Sequence, residues 1–490
     1  MSDEQAEVLK ALQRKCVAST DGCIGRDEGG EISGARDGVC GAKSFKANGF
    51  KSAQWSPDGT CILTSDIAPA LRTFIVPQDV LSKPGIQTLT PYATFVSPEP
   101  IYAFTPYPYF SLQDPSTTLI LSSIRSHPIR LTNALYDSSA TATPETFTSS
   151  IVASYPLIAS TEDYVTPHSL AFTTDGTHFV AGSDSQLSIF DTHRTGEGPV
   201  ETHRTIPSKR NKLVGGGVGI KGIISTLSIS TERMLAAGML ERKVGLYAEE
   251  GRAGAIAVFS VGHDKDRYVQ LHNGQDKHDL AGGGVTQVLW SPCARYLYVA
   301  ERRSDAVLVY DIRVAGVLLG WLKGRKAGTN QRLGVDVVPC KDGHEIWAGG
   351  TDGAARVWRN PWEREGGMEA DFEWQAHGSP VSSTIVHSSG LLAATCSGER
   401  IMPPMRFEES SDDDEEEEEE DSDSEAEESD ELDESSPSSP PPPGSPPGSP
   451  PGSPPSRPGS HSLSKETKGS SKRMLSPEQP SSNCLKIWSL

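Results

Sequence analysis

A recurring pattern of three short β-rich runs constrains the fold of this chain more than any other feature of its sequence. Each copy has an alternating first run, a second run rich in small residues, and a third run that carries an aromatic residue, with turns between them. The clearest copy is VTQVLWSPCARYLYVAERRSDAVLVYDIR at 285–313. Similar copies begin near residues 50, 167, 222 and 331, and two weaker ones begin near 101 and 380. Such repeats indicate an array of small, similar sheets.

Seven repeats predict an all-β fold, a seven-bladed β-propeller of the WD-repeat type. In VLVYDI, Val307 and Val309 share one face of the run, whereas Leu308 and Tyr310 share the other, as expected of a strand. Small sheets of this kind cannot bury both faces alone. Stacking them radially in a closed ring covers each sheet with the next and leaves few free edges. An array of β-sandwiches is the alternative.

The last repeat is divided between two distant parts of the chain. Its first two runs end near residue 398, and its third run is found only at the C-terminus, as CLKIWSL. The residues between them are an acidic run and Pro/Gly/Ser repeats, which bury too little apolar surface to offset the entropy of ordering. We therefore predict a propeller at 50–400, a disordered acidic and Pro/Ser/Gly-rich insertion at 401–482, and a strand at 483–490 that completes the last blade. The N-terminal segment 1–49 is expected to be partly disordered and is a candidate for the closing outer strand.

The formal net charge of −20 originates in this insertion, because residues 408–434 contain 20 acidic residues and no Lys or Arg. The repeats themselves have a basic part, since residues 201–350 contain 21 Lys and Arg against 15 Asp and Glu. Clustered Arg and Lys on loops suit contact with phosphates and with unpaired bases. A solvated polar surface is the alternative interpretation.

Several classes of function lack their sequence motifs. The chain has no G-x-S-x-G, no phosphate-binding G-x-x-x-x-G-K-[ST] and no H-E-x-x-H. Its eight Cys show no C-x-x-C spacing, which argues against a structural zinc site. No stretch reaches the roughly 18 apolar residues of a membrane helix, and the charged start does not fit a signal peptide. We therefore expect no enzymatic activity, no catalytic residues, no metal or other cofactor, and no membrane association.

Four stretches and the divided last repeat have counterparts in one known family. The stretches are FKSAQWSPDGTCILTSDIAPALRTFIVP at 50–77, PHSLAFTTDG at 167–176, the 222–248 repeat, and GTNQR at 328–332 with the following AGGTDGAARVW. In this order, with LLAATCSGER, an acidic interruption and the returning CLKIW, the chain resembles the telomerase Cajal body protein family. These are WD-repeat proteins associated with small Cajal-body RNAs. The likeness covers residues 50–400 and the final strand.

The resemblance implies a non-enzymatic, RNA-binding scaffold of a small nuclear ribonucleoprotein. Its RNA would be of the telomerase or small Cajal-body type, and the protein would aid localisation and assembly together with other proteins of the particle. A nuclear, Cajal-body-like location is implied, with the cytoplasm as a second location. We expect the propeller to be monomeric. The alternative is a protein-only WD-repeat scaffold, for example one associated with pre-mRNA splicing.

The candidate binding residues lie in loops of the basic part of the chain. Asn330, Gln331 and Arg332 are the first candidates, because amides can read base edges and Arg adds charge and a stacking plane. Phosphate contacts are expected from four further basic residues, Arg302, Arg303, Arg325 and Lys326. The alternative role for residues 330–332 is a turn that leads into blade six and fixes its position.

Overall fold

The computed structural model of the chain describes residues 14–20, 49–136, 151–206, 213–214, 217–218, 220–262, 280–399 and 483–490. These residues form β-strands joined by turns, and the helical elements among them are two 3-10 turns, Glu249–Gly251 and Ile312–Val314. The disordered insertion predicted at 401–482 lies outside the described residues, as does most of segment 1–49.

Strand β1 (Lys15–Ser19) precedes the first three blades. Blade one contains β2 (Phe50–Trp55), β3 (Cys61–Asp66), β4 (Ala70–Ile75) and β6 (Ala93–Val96), with the short β5 (Gln87–Thr88) before β6. Blade two contains β7 (Ile101–Pro106), β8 (Leu119–Ile124), β9 (Ile129–Asn133) and β10 (Ile151–Tyr155). Blade three contains β11 (Ser169–Phe172), β12 (His178–Ser183), β13 (Gln186–Asp191) and β14 (Glu201–Arg204).

A two-stranded pair, β15 (Leu213–Val214) and β16 (Gly217–Val218), separates blades three and four along the chain. Blade four contains β17 (Ile224–Ile229), β18 (Leu235–Met239), β19 (Lys243–Tyr247) and β20 (Ala255–Ser260). Blade five contains β21 (Val285–Trp290), β22 (Tyr296–Glu301), β23 (Val307–Asp311) and β24 (Leu318–Leu322). Blade six contains β25 (Val335–Cys340), β26 (Gly343–Gly349), β27 (Ala354–Arg359) and β29 (Phe372–Gln375), whereas β28 (Gly366–Met368) adds to the edge of blade five.

Blade seven is assembled from both ends of the described chain. It contains β30 (Val381–Val386), β31 (Leu392–Ser397), β32 (Leu485–Ser489) and then β1 as its fourth strand. Ile487 lies between Ala394 on β31 and Ala18 on β1, and all three residues are buried. The C-terminal strand therefore joins the N-terminal strand to the last blade, and the ring is closed by hydrogen-bonded pairing. The predicted seven-bladed propeller is confirmed.

The hydrophobic core lies between the blades, as expected for radially stacked sheets. Each of the seven junctions has its own cluster of buried apolar side chains, and the junction between blades six and seven has two. The cluster between blades four and five, for example, joins Val244 and Leu246 to Val285 and Leu308. Such burial, at about 25 cal/mol per Å² of apolar surface, holds neighbouring blades together.

Hydrogen bonds also cross every junction close to the innermost strands. In most cases a side chain of one blade binds the main chain of the next, as when Ser169 Oγ donates to the Ile224 carbonyl at 2.8 Å. The other junctions are crossed by Gln54–Phe104, Ser123–Pro167, Ser225–Val285, Gln287–Val335, Gly334–Ser382 and Ser383–Ala53. Because such bonds satisfy polar groups that the stacking buries, they fix the order and spacing of the blades.

The antiparallel order within each blade divides the loops between two faces of the ring. We call the face on which the innermost strands begin the upper face, and the opposite one the lower face. Because consecutive strands reverse direction, the loops between second and third strands lie on the upper face, together with the connections from each fourth strand to the next blade. The turns between first and second strands and the third-to-fourth connections lie on the lower face.

Candidate nucleic-acid interface

The basic loops predicted from the sequence come together on the upper face. Arg302 and Arg303 occupy the turn between β22 and β23, the second-to-third turn of blade five. The other candidates, Arg325, Lys326 and residues 330–332, lie in the connection from β24 to β25, which leads from blade five to blade six. The two segments are neighbours on one face, although about 20 residues of chain separate them.

The turn of blade five and this connection hold each other in place. The Arg303 backbone N–H donates to the Thr329 carbonyl at 2.9 Å. In the opposite direction, the Ala327 backbone N–H donates to Asp305 Oδ1 at 2.5 Å. These two bonds fix the main chain from which the exposed side chains of Arg303, Lys326 and Asn330 extend. The two loops on the upper face of blades five and six are therefore held together as one surface and are not independent of each other.

Arg303 and Asn330 form one exposed polar pair on this surface. Arg303 Nε donates to Asn330 Oδ1 at 2.7 Å, and both side chains are exposed. The bond uses one guanidinium donor and one amide acceptor. The remaining guanidinium donors and the Asn330 amide NH₂ stay available to a ligand, because each group has more bonding positions than the pair consumes.

Arg332 extends toward the axis of the ring. Its Nη2 donates to the carbonyl oxygen of Ser225, on the innermost strand of blade four, at 2.6 Å. Since Arg332 precedes blade six, this side chain passes blade five to reach its acceptor. Part of the Arg332 side chain is in contact with solvent. Protein atoms nevertheless surround the guanidinium, and this desolvation, with a smaller effect of the Arg302 charge, lowers the pKa of Arg332 to about 10. It therefore remains cationic at neutral pH.

Three of the predicted arginines reach the solvent and carry no ion pair with a carboxylate among the described residues. These are Arg302, Arg303 and Arg332. Arg302 Nε in addition is buried and has no hydrogen-bond partner within that part of the chain. By contrast, Arg242 on the neighbouring blade is neutralised by Glu301, at 2.6 Å and 2.8 Å. Uncompensated guanidinium groups on loops are the feature expected of a surface that contacts phosphate.

Arg325 and Gln331 have structural roles. Arg325 is 2% exposed, and its guanidinium donates to the carbonyls of Gly349 and Leu333. Burial lowers its pKa to about 10. The expectation that Arg325 meets a phosphate at the surface is therefore corrected, because its donors are turned inward. Gln331 Nε2 donates to the Gly398 carbonyl at 2.7 Å, which ties the connection to the segment that follows β31 in blade seven.

Lys326 is exposed and shares the upper face with the arginines. Its Nζ lies 3.3 Å from Asp352 Oδ2, and Asp352 is also bonded by Arg356 at 2.6 Å. An exposed pair of this kind contributes at most about 1 kcal/mol, so a phosphate can compete for the ammonium group. We therefore expect Lys326 to contribute less to phosphate binding than the three arginines that have no ion pair.

Sequence reasoning missed two aromatic side chains beside these arginines. The rings of Tyr102 and His168 stack with centroids 4.8 Å apart and an angle of 15° between their planes. Both residues lie at the upper ends of innermost strands, in blades two and three. Burial first of all, and then the charges of Arg332 and Arg302, lower the pKa of His168, while Asp184 opposes them. His168 looks isolated in the sequence, because its neighbours belong to four other segments.

Within the described ranges, no three His, Cys, Asp or Glu side chains are close enough to one another to hold a metal ion. No helix of the same ranges is long and apolar enough to cross a membrane.

The fold and this surface define a class, the WD-repeat β-propellers with a basic loop face. No family model matches the chain. The chain is 33% identical over 319 residues to the guanine nucleotide-binding protein negative regulator 1 of Schizosaccharomyces pombe, covering 64% of this chain and 71% of that protein. It is 28% identical over 362 residues to the human telomerase Cajal body protein 1, covering 73% and 58%. A Drosophila melanogaster homologue of the latter is 26% identical over 328 residues, covering 65% and 52%.

These relatives show that the chain belongs to the telomerase Cajal body protein family. The resemblance drawn from the repeats is thereby confirmed. The chain spans about three fifths of the length of the human protein that it matches.

Proposed function

We propose that this protein is a non-enzymatic RNA-binding scaffold of a small nuclear ribonucleoprotein. Its upper face would contact RNA through Arg302, Arg303 and Arg332, with Asn330 and Lys326 beside them. The observation that carries the proposal is that these three arginines meet on one face without a carboxylate partner among the described residues. The names of the animal relatives support an RNA of the telomerase or Cajal-body type and a nuclear location.

The role proposed for the propeller is to hold RNA and proteins together during assembly and localisation of the particle. A closed ring fixes loops from seven blades on one face, so that several partners can bind to a rigid platform. We propose that the protein acts as a monomer, because the ring completes itself with its own two terminal strands.

Salt-dependent binding tests the proposal. Phosphate contacts release counterions, and each one adds about 0.7 to the slope of log K against log salt for a single strand. The variant Arg302→Ala/Arg303→Ala/Arg332→Ala is therefore expected to bind a small structured RNA with a slope shallower by about 2. A matched control, Arg194→Ala/Arg295→Ala/Arg313→Ala, removes three arginines from lower-face loops. The control should retain the wild-type slope, and equal slopes for both variants would refute the assignment.

A second candidate is a scaffold that binds proteins only. A groove of about 810 Å³ opens beside blades six and seven, lined among others by Trp374, Trp488 and Glu369. The guanidinium of Arg14 lies over Trp347, Phe372 and Trp374 at 4.3–4.8 Å from the ring centroids. The S. pombe relative is named as a negative regulator of a guanine nucleotide-binding protein, which also favours protein partners.

The two candidates differ in their response to ribonuclease. Partners that survive ribonuclease treatment, bind the triple-arginine variant normally and are lost from Trp374→Ala would favour the protein-only scaffold. Partners that are released by ribonuclease and by the arginine variant would favour the RNA-binding scaffold.

A further inference from the structure

Blade six has a free outer edge between two blades whose outer edges are covered. Its fourth strand, β29, pairs only with β27 among the described strands. In blade five, β28 pairs in parallel with the outer strand β24, and in blade seven β5 pairs in parallel with the outer strand β1. The two neighbouring sheets therefore each have a fifth strand at the position that is open on blade six. The unpaired N–H and C=O groups of such an edge are a template for another strand.

The groove of about 810 Å³ beside blades six and seven runs along this edge. All four residues of β29, Phe372–Gln375, line it. Arg14 and Trp488 flank the groove on the side of blade seven, and Lys323 and Glu369 flank it on the side of blade five. The groove therefore lies where a fifth strand of blade six would pair.

Arg14 brings buried hydrogen-bond donors to this groove. Its guanidinium lies over three aromatic rings, while its Nε and Nη1 are buried without an acceptor among the described residues. Trp374 Nε1, in the same groove, is a further buried donor without a described acceptor. Burying such donors without an acceptor is costly, most of all for a charged group, so they point to a ligand that supplies oxygen atoms.

The carboxylates near Arg14 are already used by other groups. The charge of Glu345 acts on Arg14. Its two oxygens, however, accept from Trp347 Nε1 and Arg359 Nε, each at 2.9 Å. Glu373 lies on the opposite face of β29 from the aromatic residues and is paired with another arginine at 3.0 Å. An acidic ligand therefore complements Arg14, because charge-assisted bonds between guanidinium and carboxylate groups are strong.

We propose that the free edge of blade six binds an extended, acidic peptide segment of a partner protein as a fifth strand. The peptide main chain pairs with β29, and an acidic side chain on the face toward blade seven binds Arg14. RNA matches this edge less well, because its backbone has no alternating N–H and C=O groups that could continue a sheet. The inference rests on the proposed role of the propeller as a platform for partner proteins, and it does not depend on the arginines of the upper face.

The test measures binding of a fluorescent seven-residue peptide of alternating valine and glutamate to the full chain. Arg14→Met keeps an unbranched side chain but removes the charge and the donors, so it should weaken binding about tenfold or more. A peptide with glutamine in place of glutamate should bind the wild type more weakly by a similar factor, with no further loss in Arg14→Met. Arg204→Met, on the exposed outer strand of blade three, is the matched control and should bind like the wild type. Additive losses from Arg14→Met and from the glutamine peptide would overturn the contact.

A measurement on the wild-type protein covers the case in which Arg14→Met does not fold. Two versions of the peptide carry N-methyl groups on alternate residues, each version along a different edge of the extended chain. A fifth strand pairs through one edge only, so one version should lose binding and the other should retain it. Equal binding of the two versions would overturn strand addition.

Other occupants of the groove give different results, each of which would overturn the inference. Peptide binding that appears only after deletion of 408–434 would assign the groove to the chain's own acidic run. A dimer that Arg14→Met dissociates would assign it to a second copy, and displacement of the peptide by single-stranded RNA would assign it to nucleic acid. A wild-type protein that binds a structured RNA but not the peptide would overturn this inference alone, and one that binds neither would overturn the proposed function as well.

Discussion

Arg332 Nη2 donates to the Ser225 carbonyl oxygen at 2.6 Å, across a sequence separation of 107 residues. The bond joins the approach to blade six with the innermost strand of blade four, and it spans the channel mouth in front of blade five. It uses one of the five guanidinium donors and fixes the direction of the others. A cation that is already held in place loses less conformational entropy when a ligand binds.

Substitution of Arg332 separates charge from geometry. Arg332→Lys keeps the positive charge but lacks the planar set of donors, so RNA affinity should fall about fivefold at an unchanged salt slope. Arg332→Ala should lower the affinity further and make the slope shallower by about 0.7. Affinity for a structured RNA measured across a salt series checks both values. If Arg332→Lys and Arg332→Ala have the same affinity and the same salt slope, the planar donor set of Arg332 matters for RNA binding and its charge does not.

Thr395 connects the closing strand to the rest of blade seven. Its Oγ1 accepts from Trp488 Nε1 at 2.7 Å and lies 2.7 Å from His377 Nε2. Thr395→Val should lower the free energy of unfolding by about 2–4 kcal/mol, because it leaves two buried polar groups unpaired. Thr64 has the equivalent place in β3 of blade one, and its Oγ1 is buried without a partner among the described residues.

Thr64→Val is therefore a matched control for Thr395→Val. It removes a buried hydroxyl that has no hydrogen-bond partner among the described residues, so it should not lower the free energy of unfolding and should raise it by about 1 kcal/mol. Urea unfolding of the full chain measures both variants. A cost for Thr64→Val as large as that for Thr395→Val would contradict the role assigned to the hydroxyl of Thr395.

His344 makes stability depend on pH. It is 3% exposed, lies 2.5 Å from the Tyr298 hydroxyl and stacks on Trp362 at 3.9 Å. Burial lowers its pKa to about 4, whereas an unfolded His titrates near 6.5. The unfolded chain binds the proton first, so this contribution is full above pH 6.5 and is lost as pH falls toward 4.

The lost contribution of His344 should be about 3 kcal/mol over that pH interval. The difference in unfolding free energy between the wild type and His344→Phe should shrink by this amount as pH falls. His193→Phe, at a site where the side chain is 79% exposed, serves as the control for the His-to-Phe substitution itself. A parallel pH dependence of the wild type and His344→Phe would show that His344 is not buried in its neutral form.

Ring closure depends on the apolar side chains of β32. Ile487 is fully buried between β31 and β1, so Ile487→Ala should lower the free energy of unfolding by about 3 kcal/mol. Lys486 on the same strand is only partly buried, and Lys486→Ala should cost about 1 kcal/mol or less. Chemical denaturation checks both, and similar small costs would indicate that β32 is dispensable for the ring.

The sequence was sufficient for the ring because each blade repeats the same local information. Trp290 and Trp55 end the first strands of two repeats, just before the same kind of turn, and their indole N–H groups donate to the carbonyls of Ser228 and Ile385 on the preceding blades. The apolar alternation of the last seven residues matches the third strands of other blades, which placed β32 correctly. β1 is harder to recognise, since KCVAS has five residues and a weak pattern.

The site could be predicted only in part, because burial and direction of a side chain depend on tertiary contacts. Arg325 and Lys326 are adjacent in sequence, yet one is turned inward to Gly349 and the other outward to Asp352. Tyr102 and His168 are 66 positions apart and belong to different repeats, so no local motif connects them. Their contact arises from the stacking of blades two and three.

We propose that RNA binds the upper face through the arginines of blades five and six. Photo-crosslinking of a bound RNA to the full chain, followed by identification of the crosslinked residues, tests it most directly. We expect crosslinks around Arg302, Arg303 and Arg332 and at Tyr102. We expect none in the lower-face loops that carry Arg194, Arg295 and Arg313. Crosslinks concentrated in those lower-face loops would contradict it.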